Sequence, residues 1–187
     1  MNPIDELKTE HRAIEGALDL FVNLAGRLAE APQTHTASDA RQMLDFFQTF
    51  TDACHHGKEE GFLFPALEAI GVSRQGGPIG VMLHEHDQGR ALMAELRRAL
   101  DAHAAGDRSA AAAFRAHAEA YREFLRQHIQ KEDQVLFRIA AERLPQAKLA
   151  ELARDFERLE EERIGHGRHE ELHRMLEAFE KAYGTAR

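Results

Sequence analysis

Two stretches of this chain repeat one pattern of ionisable residues, and no other feature limits its possible folds as tightly. Glu10-His11 is followed, 44 residues after His11, by His55-His56-Gly57-Lys58-Glu59-Glu60-Gly61-Phe62-Leu63-Phe64. Glu85-His86 is followed, 42 residues after His86, by His128-Ile129-Gln130-Lys131-Glu132-Asp133-Gln134-Val135-Leu136-Phe137. His55 aligns with His128, Lys58 with Lys131, Glu59 with Glu132 and Glu60 with Asp133. Each half therefore offers one isolated His and one His-x-x-x-Glu pair. On a helix the two members of that pair stand one turn apart on the same face, so both can reach one point.

The surrounding sequence is helical almost throughout. Ala, Leu, Glu, Arg and Gln dominate and β-branched residues are scarce, a composition that favours helix. Asn2-Pro3 predicts a cap and a first helical residue, and Ile4, Leu7, His11, Ile14, Leu18 and Phe21 then recur at helical spacing. This helix should fade near Glu30, ahead of Pro32. Ser38 is expected to cap a second helix with Leu44, Phe47, Thr51, His55 and Phe62 on its inner stripe, ending before Gly71. Gly76-Gly77-Pro78 opens a third, carrying Met82, His86, Met93, Leu96 and Leu100, up to Gly106-Asp107. A fourth runs from about Ser109 to Arg143 with Phe114, Ala118, Tyr121, Leu125, His128, Glu132 and Val135 inside. Pro145 opens a fifth, amphipathic segment that breaks near Gly165-His166-Gly167. The expected fold is all-α: an up-down-up-down four-helix bundle over residues 1–144, with a helical extension over 145–187.

Register ties the repeat to the fold. About 19 residues follow His11 in its helix and about 17 precede His55 in the next, while 20 separate His86 from Gly106 and 19 separate Ser109 from His128. At about 1.5 Å per residue, antiparallel neighbours of these lengths bring all four imidazoles to one level. Glu59 and Glu132 would then be buried with no Lys or Arg on the same stripe to neutralise them, at a cost of several kcal/mol each. A bound cation removes that cost, and twelve histidines in 187 residues supply the commonest metal-binding side chain. The expected ligands are His11, His55, Glu59, His86, His128 and Glu132. Two His from each half, with Glu59 and Glu132 bridging, suit two metals better than one. Imidazole and carboxylate without thiolate fit iron, manganese or zinc, and a bundle with inward carboxylates is a common di-iron frame.

These residues also carry a family resemblance. The pattern His11, His55-x-x-x-Glu59, His86, His128-x-x-x-Glu132 resembles the hemerythrin-like (HHE cation-binding) family over about residues 1–143. Gly77-Pro78-Ile79-Gly80-Val81-Met82-Leu83-His84-Glu85-His86-Asp87-Gln88-Gly89-Arg90 is similar to a stretch of its bacterial members. The resemblance implies two non-heme iron ions with an oxo or hydroxo bridge. Oxygen-carrying hemerythrins are similar but use five His and two carboxylates, with a His-x-x-x-His pair on the third helix. Here the residue four after His86 is Arg90. Six protein ligands leave an open position, which favours reaction with oxygen, peroxide or nitric oxide, or an iron- or redox-sensing role, over reversible oxygen carriage.

Other residues are expected to stay outside the site. His56 and His84 point roughly 100° and 200° away from the adjacent ligands and are assigned to the surface or to the rim of the site. His117 lies about 16 Å along the axis from His128. His35 and His103 sit near helix ends, in solvent. Tyr121, two turns from His128, is expected to pack, with coordination or gating as its alternative. Cys54 behaves as a small buried hydrophobe. If the fifth segment returns along the fourth helix, Glu160 falls near the level of the metals, and the glycine break brings His169 within range.

Composition sets the remaining expectations. A net charge of −8 argues against a nucleic-acid surface. One cysteine excludes an internal disulfide, and neither a signal peptide nor a membrane span is apparent. The expected partner is a small diatomic or peroxide ligand, in a cytoplasmic protein that binds neither nucleic acid nor membrane.

Overall fold

The structure, a computed structural model, describes residues 2–30, 35–163, 165 and 168–184, apart from the side chains of residues 168–170 and 173. Pro32, His166 and Gly167, and the side chains of His169 and His173, lie outside the described residues.

Asn2 starts the chain as its sequence suggests. Its Oδ1 accepts the Ile4 amide at 2.9 Å, satisfying a donor that the first helical turn cannot, and helix α1 runs Pro3–Glu30. Helix α2 spans residues 36–69 and changes character along its length: α-helical over Thr36–Phe46, π-helical over Phe47–His56 and Glu59–Leu63, and α-helical again over Phe64–Ala69. It begins two residues before Ser38, so Ser38 is not its cap; His35 occupies that position. Gly71, at φ 88°, closes it. Helix α3 (Pro78–Ala104) starts on extended Gly77 with Pro78 in its first turn. The loop before α3 passes so close that a Cβ on Gly80 would lie 2.1 Å from the Arg74 carbonyl oxygen. Helix α4 covers residues 110–143, π-helical over Glu132–Leu136 between Ala110–Lys131 and Phe137–Arg143. Helices α5 (Gln146–Arg163) and α6 (Arg168–Tyr183) follow.

Helices α1 to α4 form a ring in which α1 packs on α2, α2 on α3, α3 on α4 and α4 on α1. This is the expected all-α, up-down-up-down bundle. Helix α5 makes its main contacts with α1 and the π-helical part of α2, not with the fourth helix along which it was expected to return. Helix α6 lies on α1, where the Tyr183 carbonyl accepts from Asn23 Nδ2 at 3.0 Å. No helix among the described residues is long and apolar enough to cross a membrane.

The π-helical turns change which residues face inward. An i→i+5 ladder holds more residues per turn than an α-helix, so the α-helical phase no longer applies beyond it. Phe62, expected on the inner stripe, is only partly buried, and Leu63 and Phe64 take the interior instead. Val135, also expected inside, is 40% exposed, while Leu136 and Phe137 are buried. The result is two apolar clusters. One, around Leu18, Phe21, Leu44, Phe47 and Phe114, fills one end of the bundle; the other, around Ile4, Leu7, Leu63, Phe64, Phe137 and Phe156, fills the other. A polar layer lies between them.

Candidate metal centre

That layer contains all six residues singled out by the repeat. His11, His55, Glu59, His86, His128 and Glu132 are each at most 1% exposed, one or two from each bundle helix. The Glu132 Oε2 lies 3.3 Å from both His11 Nε2 and His128 Nε2, and Glu132 Oε1 lies 3.8 Å from His86 Nε2. Glu59 spans the other diagonal, with Oε1 3.5 Å from His55 Nε2 and Oε2 3.5 Å from His86 Nε2. Each carboxylate thus sits between an imidazole of one half and an imidazole of the other.

None of these inward atoms is hydrogen-bonded. Apart from Thr51 Oγ1 and His103 Nδ1, every buried side-chain polar atom without a partner among the described residues belongs to these six: four Nε2 atoms and both oxygens of Glu59 and Glu132. Each such atom costs about 1–3 kcal/mol, and folded proteins keep few of them. A concentration this high in one small volume is what a cation would resolve.

The outward nitrogens show why Nε2 points in. His11 Nδ1 meets Asp133 at 2.9 Å, His55 Nδ1 meets Glu10 at 2.7 Å, His86 Nδ1 meets Glu60 at 2.6 Å and His128 Nδ1 meets Glu85 at 3.0 Å. An ionised carboxylate only accepts, so each Nδ1–H donates, and a ring in its neutral form then carries its lone pair on Nε2, facing the interior. Carboxylates behind metal-binding imidazoles fix both tautomer and ring orientation in this way. All four carboxylates belong to the repeat, as the residue before each isolated His and the residue after each paired Glu. The sequence displayed them, but nothing local reveals that Glu60 and Asp133 each serve a histidine of the opposite half.

Basic residues close this outer ring. Lys58, fully buried, donates to Glu6 at 2.7 Å and to Glu10 and Glu160 at 2.6 Å each. Lys131 pairs with Glu85, and Arg12 with Asp133. Arg90 points away from the centre, reaching Asp52 at 2.8 Å, Glu60 at 2.7 Å and Asp87 at 3.0 Å. It braces Glu60, the carboxylate behind His86. These pairings leave the outer cations engaged with outer acids.

The charges inside the layer are unequal. Burial, and then the nearby Glu132 charge, push Glu59 well above the usual carboxylate range. Glu132 is held well below it, because His128 and His11 outweigh its own burial. Burial opposes a charge on His128, yet Glu132 and Glu85 raise its pKa to about 9. Without a cation the layer must therefore hold protons, and a cation would compete with them.

The other expectations divide. His84 is exposed and contacts Gln88 at 3.0 Å, as expected of a residue outside the site. Cys54 is buried, and burial pushes its thiol up to about 12, so it is a neutral, small hydrophobe. Tyr121 packs edge-on against Phe47 with ring centres 5.4 Å apart. Glu160 does reach the level of the centre, but its carboxylate binds Lys58. Of the two places expected for His56, the surface and the rim of the site, it takes the rim. It is 5% exposed, and its ring stacks on His86 at 3.9 Å. A cavity of about 230 Å³ opens beside it, walled by His56, His86, His128, Tyr121, Met93 and Arg90 among others.

Among the described residues ligand-type atoms converge as three groups, each with its atoms within 4.8 Å of one another: His11–His55–Glu59–Glu132 and His56–His86–His128 in the layer, and Glu10–Cys54–Glu160 beside it. Among known families, the one described as Hemerythrin HHE cation binding domain matches residues 2–140. No curated protein and no solved structure matches the chain.

Proposed function

Because this chain belongs to the hemerythrin HHE cation-binding family, we propose that its buried layer holds two non-heme iron ions and that the protein binds or reacts with a small oxidant: oxygen, peroxide or nitric oxide. The observation that carries this reading is the set of unpartnered Nε2 and carboxylate atoms of His11, His55, Glu59, His86, His128 and Glu132 converging between two apolar clusters. Glu59 and Glu132, each lying between imidazoles of both halves, would bridge the ions, with an oxo or hydroxo group completing the bridge. Nitrogen and oxygen donors without a thiolate suit iron. Bound iron would supply the electrons exchanged with the oxidant.

The chain's own residues govern access and protons. The cavity admits molecules of a few atoms, since water takes up only about 30 Å³ in the liquid, and its inner wall is formed by three imidazoles. Burial raises the Tyr121 phenol and keeps it protonated, so it is a neutral group in that wall. The apolar clusters above and below exclude bulk water from the layer.

Protein purified without added metal and reconstituted with ferrous iron should retain about two irons per chain. His128→Ala should lose at least one of them, and His84→Ala should lose none, as measured by metal analysis. Retention below about half an equivalent by the unaltered protein refutes the assignment.

A sensing role has one specific observation in its favour. The chain of contacts Glu160–Lys58–Glu10–His55 runs from helix α5 to the metal layer. Loss of metal frees His55 and loosens what holds Glu10 and Lys58 beneath α5. Under this reading, limited proteolysis should cut within residues 146–163 much faster in the metal-free protein than in the loaded one. Equal cutting rates remove the support for it.

A further inference from the structure

The cavity beside the metal layer is larger than an oxidant of two to four atoms requires. Its volume is about 230 Å³, whereas an apolar cavity of about 150 Å³ already holds benzene. Three helices wall it: the π-helical turns of α2 through Phe47 and His56, α3 through Arg90 and Met93, and α4 through Tyr121 and Leu125. Phe47 and Tyr121 meet edge-on, and Met93 adds a polarisable thioether. Such walls favour a ring, through edge-to-face and sulfur–aromatic contacts.

Charge narrows the kind of ring. Arg90 is held by Asp52 at 2.8 Å and Glu60 at 2.7 Å, and Arg97 by Asp45 at 3.1 Å and Gln48 at 2.6 Å. Glu85 serves His128 at 3.0 Å and Lys131. A charged molecule entering here would have to break one of these pairs to find a counter-ion. The Tyr121 hydroxyl is different. The residue is only 3% exposed and lines the cavity, yet no group among the described residues hydrogen-bonds its oxygen. Burial keeps the phenol protonated, so it has a proton to donate.

We propose that this cavity binds a small neutral aromatic molecule carrying an oxygen acceptor, its ring among Phe47, Met93 and Leu125 and its oxygen accepting from Tyr121. The site is built from side chains alone, so it goes beyond the di-iron reading and stands without it. Where iron is bound, the cavity's inner wall of His86 and His128 brings an organic molecule and an oxidant to one centre.

Phenol is the probe and benzene its control, each titrated calorimetrically into the full chain in iron-loaded and metal-free form. Phenol should bind both forms saturably, with a dissociation constant of about 1 mM or tighter. Tyr121→Phe removes a hydroxyl that holds nothing in the protein, so its melting temperature should not fall. It should nevertheless bind phenol about threefold to tenfold more weakly, and benzene as before. Met93→Trp fills the cavity and should abolish binding of both; if that variant fails to fold, Tyr121→Phe decides alone. The proposal is overturned if the unaltered protein binds no phenol, if Tyr121→Phe binds it as tightly as the parent, or if a folded Met93→Trp does so. It is also overturned if phenol binds only the iron-loaded form and brings a phenolate-to-iron absorption band, since the metal then holds the molecule. A chain that binds phenol but takes up no iron refutes the di-iron reading alone.

Discussion

Removing metal from the purified protein at neutral pH should lower its melting temperature by about 10 °C or more. A ligand that binds only the folded state at 1,000 times its dissociation constant stabilises by about 4 kcal/mol, and a chain of this size shifts by about 2–4 °C per kcal/mol. The proposed ligands come from four helices, from residue 11 to residue 132, and the unfolded chain has nothing equivalent. The difference should also depend on pH with a definite sign. In the metal-free protein His128 has its pKa raised to about 9, with Glu132 and Glu85 outweighing burial. The stability from that pairing is therefore fully present below the ordinary histidine value and lost as pH rises toward about 9. Metal affinity runs the other way, because a proton on His128 must leave before metal binds. The melting gap between loaded and metal-free protein should widen from about pH 6 to about pH 9 and close in acid. Scanning calorimetry across that range measures it, and a gap that is absent or constant contradicts the account.

The repeat made the polar layer legible because it encodes both chemistry and level. His11, His55, His86 and His128 could be placed on one plane by counting residues to helix ends, and the structure puts them there. What counting could not supply depends on the backbone between those ends. An α-helical phase sends Phe62 and Val135 inward and His56 outward, and the π-helical stretches of α2 and α4 reverse all three. The partners of Arg90 were hidden for a different reason. Its spacing from His86 is right for a ligand position, but its guanidinium is drawn out by Asp52, Glu60 and Asp87, three acids that only the assembled bundle brings together. The path of α5 was likewise illegible, since an amphipathic helix shows which of its faces is apolar but not which groove receives it. Glu160 reached the expected level, while its partner proved to be a lysine.

That lysine gives the sharpest contrast in the molecule, because the repeat supplies it twice. Lys58 and Lys131 occupy equivalent positions, and each pairs with the carboxylate behind a histidine, Glu10 and Glu85 respectively. Their surroundings differ because α5 covers only one of them. Lys58 is fully buried beneath the Phe156 ring, 5.5 Å away, and is shared by Glu6, Glu10 and Glu160. Lys131 is 44% exposed. Removing one partner of a buried ion pair costs about 3–5 kcal/mol, whereas exposed pairs contribute about 0–1 kcal/mol. Lys58→Ala should therefore lose several kcal/mol in denaturant unfolding, and Lys131→Ala at most about 1. Lys58→Met retains the aliphatic stem, so it should lose nearly as much as the alanine variant if uncompensated acids, not lost packing, set the cost. The three carboxylates would respond by taking up protons. Burial already pushes Glu6 upward even with Lys58 present, so without the lysine the deficit should be larger at pH 8 than at pH 5. Equal losses at the two lysines, or a Lys58→Met variant as stable as the parent, would show that α5 seals an ordinary apolar contact and that the buried charge cluster contributes little to holding it.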